Sequence, residues 1–305
     1  MRQSLFGIAL KMSASLVFTL MYAAIKMAGK MPVGEVIFFR AFFAMIPLFA
    51  LSAWTVGPLN VVRTDRPVFH IVRSIAGVCS MFLNFGALAL LPLADITAFS
   101  FVAPIFAVVL SALLLHEQVG QFRWGAVAVG FAGVLVMIEP HGGVLGIFAR
   151  SFSTGAAMAL GGAFLSAFVV VFIRQMNVTE RSETIVFYFM LTSAIAGALT
   201  MLWSFKMPSL EMAAWLTLAG LLGGVGQICM TYSYRYAEPS LLAPFDYIAM
   251  VWAVLIGFFV FAEIPETLVM VGAGVVIVAG LFIVWREHVR HKTMELAAQA
   301  VTPNA

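Results

Sequence analysis

Long apolar segments alternate with short polar links along almost the whole chain. Ten of these segments come close to the length of about 20 residues that an α-helix needs to cross a bilayer. The segments cover approximately residues 5–27, 33–54, 69–90, 94–115, 122–139, 153–174, 184–204, 210–232, 240–261 and 264–285. This pattern predicts an all-α membrane protein with ten transmembrane helices, spans 1 to 10.

The pattern of spans 4 and 5 returns in spans 9 and 10, about 146 residues later. Ala94–Leu115 is followed by Glu117 and then by a segment that reads Gly-Ala, five residues, Ala-Gly. Ser240–Phe261 is followed by Glu263 and by the same spaced motif. Because five spans is an odd number, the second half enters the membrane with the opposite orientation. The repeat therefore predicts two inverted five-helix repeats, related by a pseudo-two-fold axis in the membrane plane.

The boundary between the halves falls in the link of about residues 140–152, the connection richest in Pro and Gly. We expect the first five-helix repeat over residues 1–145 and the second over residues 146–287. Residues 288–305 form a polar tail that we expect to be cytoplasmic and frayed.

Composition supports a membrane environment. Hydrophobic residues make up 63% of the chain and charged residues only 10%, with a mean hydropathy of +1.04. Soluble domains carry about 25% charged residues, so a water-facing surface cannot be built from this inventory. The net charge of +3 is assigned to loops facing an anionic lipid bilayer. The sequence contains no basic run with interleaved aromatic residues, so no nucleic-acid partner is predicted. Cys79 and Cys229 lie inside apolar segments, which argues against a disulfide or a zinc site.

The positive-inside rule sets the orientation. Eleven Lys and Arg residues fall in the loops on the amino-terminal side and four on the opposite side. The eleven are Arg2, Arg63, Arg66, Arg73, Arg123, Arg174, Arg181, Arg235, Arg286, Arg290 and Lys292, and the four are Lys26, Lys30, Arg150 and Lys206. We therefore expect a multi-pass protein of the bacterial inner membrane with both termini in the cytoplasm.

The five-span plan in duplicate, the Glu after an apolar span and the Gly-Ala…Ala-Gly span resemble the drug/metabolite transporter superfamily, in its EamA-type branch. The resemblance covers roughly residues 5–285. It implies ten helices and a substrate cavity between the halves, lined mainly by spans 1, 3, 4, 6, 8 and 9. It also implies metabolite transport by alternating access. The branch handles amino acids, nucleotide-like metabolites, vitamins and drugs, so the resemblance leaves the substrate open.

Three charged residues lie six or more residues inside a span, where a charge at the bilayer centre costs about 2.5–3.5 kcal/mol on insertion scales. Asp246 in span 9 is a candidate proton or cation site, or a partner for a substrate amine; a structural acid is the alternative. Lys11 in span 1 lies at a similar depth, so we expect it to interact with Asp246 unless it extends to the interface. Arg40 in span 2 is a candidate ligand for a substrate carboxylate or phosphate, or else a packing or gating residue.

Spans 4 and 9 each contain a proline, and both prolines are expected to kink their helices. Pro104 frees the carbonyl of Ser100, and Pro244 precedes Asp246. Phe101 is equivalent to Tyr247 at the repeat offset. These two rings are expected to flank a planar substrate, with lipid or helix packing as the alternative.

Further polar and aromatic residues complete the candidate substrate path. Asn84, Gln227 and Tyr232 in spans 3 and 8 are expected to line the path, or to make interhelical contacts worth about 1 kcal/mol each. Trp252, which takes the place of Phe106 in the second repeat, is added to this set.

Other residues at span ends and in span 5 are assigned structural roles. Glu117 and Glu263 close their spans and are expected to cap and anchor helix ends. Gly125, Ala126, Gly130 and Gly133 predict close helix packing.

No catalytic or metal site is expected. His116-Glu117 begins a zinc-protease motif, but Gly120 stands where the second His is required. All five histidines (His70, His116, His141, His288 and His291) are placed in loops or near span ends. Without a buried histidine, Asp246 is the leading proton carrier.

We therefore predict a secondary transporter of a small organic metabolite, such as an amino-acid derivative, an S-adenosylmethionine-like compound or a vitamin such as riboflavin. No cofactor is expected, and energy would come from a proton gradient, exchange or downhill flow. The alternatives are a drug or amino-acid exporter of the same fold, a membrane-embedded enzyme without a recognisable motif, and a receptor or scaffold. Direction and oligomeric state stay open, with a homodimer as one alternative.

Overall fold

The computed structural model describes residues 2–55, 57, 60–114, 121–141, 153–176, 179–236, 242, 245–246, 248–282 and 285. Over these residues the regular structure is helical. The helices are α1 (Arg2–Met27), α2 (Val33–Thr55), α3 (Pro67–Leu88), α4 (Leu93–Ser100), α5 (Ala103–Leu114), α6 (Gln121–Ile138), α7 (Thr154–Met176), α8 (Ser182–Ser204), α9 (Leu210–Tyr236), α10 (Ile248–Phe261) and α11 (Thr267–Phe282). Short 3₁₀ turns follow at Asn60–Val62 and Glu139–His141.

Six of the described helices are long and apolar enough to cross a membrane: α1, α2, α3, α6, α8 and α9. The other apolar helices, α7, α10, α11 and the α4–α5 segment, fall in the remaining predicted spans. The chain is therefore an all-α membrane protein with several membrane crossings.

The outside of the bundle is apolar, as a lipid-facing surface must be. Trp54 and Trp203 are 91% and 83% exposed, at the carboxyl ends of α2 and α8. Aromatic side chains at helix ends are typical of the membrane–water interface. Small residues such as Ala41, Ala87 and Ala156 are fully buried between helices instead.

Helices of the first half pack mainly on helices of the second. α1 packs against α9, α3 against α7 and α8, and α2 against α8 and α9. The α4 and α5 helices contact α7, and α4 also contacts α10. The core is thus formed between the halves, which places any internal site at their interface.

The last helices of the two halves, α6 and α11, cross at glycines. A Cβ atom on Gly272 would lie 2.5 Å from the carbonyl oxygen of Gly133, and one on Gly133 would lie 2.9 Å from the carbonyl oxygen of Gly272. Gly130 also faces α11, because its Cβ would lie 3.5 Å from the Cβ of Ala279. The packing prediction is confirmed for Gly130 and Gly133 and wrong for Gly125, which has no such neighbour within 4 Å.

The fourth predicted span is two helices and not one. The α4 helix ends at Ser100, and Phe101 and Val102 form a turn whose amides donate to the carbonyls of Ala98 and Phe99, both at 3.1 Å. Pro104 in the first turn of α5 has no N–H to donate to the carbonyl of Ser100, which explains why regular helix does not continue through this point. In the second repeat, α10 begins at Ile248, near the equivalent point.

Candidate functional site

Lys11 and Asp246 form an ion pair between α1 and the short turn before α10. The Nζ of Lys11 lies 2.7 Å from Oδ1 of Asp246. The lysine side chain is 3% exposed, whereas the aspartate side chain is 45% exposed. The interaction expected from their common depth is therefore present, with the acid as the accessible partner.

Arg40 on α2 is buried, with 4% of its surface exposed. Its Nη1 lies 3.2 Å from Sδ of Met81 and 3.9 Å from Sδ of Met190. Its guanidinium carbon lies 5.7 Å from the centre of the Phe189 ring, and its Nε finds no hydrogen-bond partner in the described ranges. Thioethers are weak acceptors, so these contacts do not neutralise the charge.

Arg73 on α3 is buried, so its assignment to the cytoplasmic loops in the count of basic residues is wrong. Its exposure is 2%, and its guanidinium carbon lies 4.0 Å from the centre of the same Phe189 ring. Among the described residues, neither its Nε nor its Nη1 has a hydrogen-bond partner. The helix begins at Pro67, so that Arg73 falls in its second turn and inside the bundle. Proline is favoured at the first helical position, so Pro67 is the signal in the sequence that the helix starts early enough to include Arg73.

The aromatic candidates are only partly described. Phe101 is buried in the turn between α4 and α5, with 4% of its surface exposed. Tyr247 and Pro244 lie outside the described residues. Trp252 is half-buried on α10, and its Nε1 is a buried donor without a hydrogen-bond partner in the described part of the chain.

Asn84 belongs to a polar cluster between α3 and α7. Its Nδ2 donates to the backbone oxygen of Ser80 at 2.9 Å and lies 3.1 Å from the Ser80 hydroxyl. That hydroxyl donates to the carbonyl of Gly162 at 3.0 Å and lies 2.8 Å from the Oγ of Ser166. Ser80, which was not singled out from the sequence, makes the contact between the two helices.

Tyr232 connects α9 to α8. Its hydroxyl donates to Oε1 of Glu183 at 2.8 Å, and Glu183 is 6% exposed. Gln227, one turn earlier, is half-buried, and its backbone carbonyl accepts the hydroxyl of Thr231 at 2.7 Å. Tyr232 thus makes an interhelical contact, one of the two roles expected for it.

One histidine is fully buried, which corrects the expectation that none is. His70 is 1% exposed, and its Nε2 lies 3.3 Å from Oε2 of Glu180, an ion pair when the ring is protonated. His141 lies at a similar distance, 3.4 Å, from Oδ2 of Asp95. Asp246 therefore shares the role of candidate proton carrier with His70.

Across the described ranges, no three His, Cys, Asp or Glu residues cluster as a metal site would require.

Glu263 joins three helix ends. Its carboxylate pairs with Lys26 at the end of α1 and accepts the backbone N–H of Leu93, at the start of α4, at 3.1 Å. Ala262, with a φ of 53°, turns the chain out of α10 directly before it. The anchoring role predicted for Glu263 is confirmed, while Glu117 lies outside the described residues.

A cavity of about 480 Å³ opens near these helix ends. It is lined by Leu90, Leu91, Pro92, Asp95, Pro140, His141, Ser153 and Glu266. None of the substrate-path residues chosen from the sequence lines it.

The sequence matches the EamA-like transporter family twice, over residues 5–139 and over residues 153–285. It is 28% identical to the pseudopaline exporter of Pseudomonas aeruginosa over 90% of this chain and 94% of that protein. It is 26% identical to the S-adenosylmethionine uptake transporter of Rickettsia prowazekii, over 83% of both chains. Identity to the riboflavin transporter of Vibrio cholerae is 28% over 75% of both chains.

A known crystal structure shares the fold. It aligns with 91% of this chain and 96% of its own length at a TM-score of 0.65 and 19% identity. At this level of identity the likeness concerns the fold alone.

Proposed function

The chain belongs to the EamA-like transporter family, and we propose that it is a secondary transporter that moves a small organic metabolite across the bacterial inner membrane by alternating access. The observation that carries the proposal is the double family match, one to each half of the chain. Matched relatives are named as transporters of chemically different metabolites: pseudopaline, S-adenosylmethionine and riboflavin. The family and these names also favour transport over enzymatic activity.

The proposed architecture is ten spans in two inverted repeats, residues 1–145 and 146–287, with both termini in the cytoplasm. Exchanging the halves would turn the α1–α9 contact into the α7–α3 contact, and both are extensive. It would map the α2–α8, α4–α10 and α6–α11 contacts onto themselves, and all three occur. This pairing supports a pseudo-two-fold axis between the halves.

The substrate path is proposed to run along the interface, past Lys11, Arg40, Asn84 and the interrupted α4–α5 segment. Interrupted helices at membrane depth are tolerated where backbone lines a cavity. Gln227 and Tyr232 of α9 are assigned to the same path.

Aromatic side chains are proposed to hold the substrate. Phe101, Tyr247 and Trp252 are the candidates, and the buried Nε1 of Trp252 is a donor for a substrate oxygen. An amino-acid derivative, an S-adenosylmethionine-like compound or a flavin-like vitamin would offer matching planar and polar groups.

Coupling to protons is assigned to Asp246 and not to His70, because the aspartate side chain is 45% exposed and the histidine side chain only 1%. Its carboxylate is accessible and sits against a buried cation, so proton binding would compete with the ion pair. Opening of the path would change both the desolvation of the carboxylate and its distance from Lys11, and with them its affinity for a proton.

The test is transport by the full chain in proteoliposomes, with substrates found by uptake screening of vitamin and amino-acid auxotrophs. Asp246→Asn should abolish proton-driven accumulation and spare exchange, whereas Lys11→Ala should shift the pH dependence of transport. Asp65→Asn, at an exposed loop position, is the matched control. Proton-driven accumulation by Asp246→Asn equal to wild type across pH would show the acid to be structural.

Export is a second candidate, favoured by the match to the pseudopaline exporter over 90% of the chain. Energised accumulation in right-side-out and inside-out vesicles separates the directions, because an exporter accumulates substrate only in inverted vesicles.

A further inference from the structure

Arg40 and Arg73 place two guanidinium groups in the interior of the bundle, where α2, α3 and α8 meet. Their exposures are 4% and 2%, and both lie against the Phe189 ring. Because both guanidinium groups lie against one ring, each charge is close enough to act on the other. No ion pair within the described residues connects either group to a carboxylate.

This arrangement is unfavourable without an anion. Arginine stays protonated in proteins, and a buried charge that lacks a partner destabilises the fold strongly. The ring face of Phe189 and the Met81 and Met190 thioethers give only weak compensation. The two like charges also repel each other, and this repulsion adds to the free-energy cost of burying them.

Packing around the pair is close, and its adaptable neighbours are methionines. Methionine side chains are unbranched and adaptable, so Met81 and Met190 can move away from Arg40 when a better acceptor arrives. Glycines form part of the wall: a Cβ on Gly223 would lie 3.2 Å from Nε of Arg40, and one on Gly77 would lie 3.6 Å from Nη1 of Arg73.

We propose that Arg40 and Arg73 form a binding site for the carboxylates of the transported metabolite, which is thus a dicarboxylate or a compound carrying two carboxylate groups. Of the substrate classes named above, an amino-acid derivative with a second carboxylate fits this site. The planar fork of each guanidinium matches a carboxylate in a bidentate arrangement. The Phe189 ring, which both guanidinium groups approach, would pack against the connecting carbons. This inference rests on the proposed transport function and assigns the substrate class to it.

The first test separates a binding role from a structural one by thermal unfolding of the full chain in detergent. Arg40→Met and Arg73→Met remove a charge and keep much of the volume. Without added anion, both should keep or raise the wild-type Tm, because a buried ion replaced by an apolar side chain of similar size is often neutral or stabilising. Arg63→Met, at an exposed position, is the control and should leave Tm unchanged. A large fall in Tm for both buried variants would assign the arginines to structure and overturn the proposal.

The second test measures ligand-induced shifts in Tm with the dicarboxylates from malonate to adipate, their neutral diamides, and inorganic phosphate. At least one dicarboxylate should raise the Tm of wild type and of Arg63→Met in a concentration-dependent way, with a preferred chain length. The shift should vanish in Arg40→Met and in Arg73→Met, and the diamides should have no effect. The proposal would be overturned if no dicarboxylate shifts the Tm, or if only phosphate does. It would also be overturned if the diamides shift the Tm, or if the two arginine variants show the same shifts as wild type.

Flux measurements in proteoliposomes distinguish a failure of the arginine site from a failure of the transport function. Uptake of a substrate without carboxylates that is unchanged in both arginine variants would retain transport and reject the anion site. Dicarboxylate-dependent Tm shifts without flux of any bound compound would retain the anion site and reject transport.

Discussion

At the scale of single residues, polar groups in this bundle are used in two ways. Glu263 and Tyr232 connect helices through hydrogen bonds to defined partners. Arg40 and Arg73 instead lie against sulfur atoms and an aromatic ring, without a carboxylate partner in the part of the chain that the structure describes. Because a membrane bundle tolerates few ionisable groups, the residues without strong partners point to ligand binding.

Glu263→Ala should lower the stability of the folded chain by about 1–2 kcal/mol, since it removes the pairing with Lys26 and the acceptor for the Leu93 N–H. Thermal unfolding in detergent measures this as a lower Tm. Glu211→Ala, at an exposed position in the first turn of α9, is the matched control. Equal Tm values for the two variants would show that the three helix ends are held without Glu263.

At the scale of helices, close approach depends on small residues. The crossing of α6 and α11 brings the backbone of Gly133 against that of Gly272, so the contact has no side chain that can move aside. Such contacts replace the hydrophobic effect, which does not drive association between helices in lipid.

Gly272→Ala should destabilise the protein by about 1–3 kcal/mol, because its Cβ would lie 2.5 Å from a backbone oxygen of α6 and force the helices apart. Gly274→Ala is the control two residues along, where a Cβ meets no atom within 4 Å. That substitution should be neutral or stabilising by about 0.5–1 kcal/mol, since alanine is favoured over glycine in a helix. Thermal unfolding of the pair is the measurement, and a Gly272→Ala protein as stable as the control would exclude the close crossing.

At the scale of the whole molecule, the halves are interleaved, because most extensive helix contacts join one half to the other. A site at such an interface changes its access when one half moves against the other, which is the basis of alternating access in repeat-built transporters. The buried arginines and the Lys11–Asp246 pair both involve helices of this interface.

Topology can be tested on a chain whose free thiols, Cys79 and Cys229, are replaced by serine. With both termini in the cytoplasm, a cysteine at Lys30 should react with a membrane-impermeant thiol reagent in intact cells. A cysteine at Ala305 should react only after lysis. The reverse labelling pattern would invert the proposed orientation and contradict the count of basic loop residues.

Hydropathy and residue spacing are local properties of the chain, so the sequence alone predicted an all-α membrane protein of the EamA-type family, and the family match to each half confirms that membership. It also predicted the Lys11–Asp246 pair, since depth along a span can be counted in residues. Which side of a helix faces the interior follows from tertiary packing. Rotation about the helix axis depends on all neighbouring helices, and for this reason the burial of Arg73 and His70 was not foreseen.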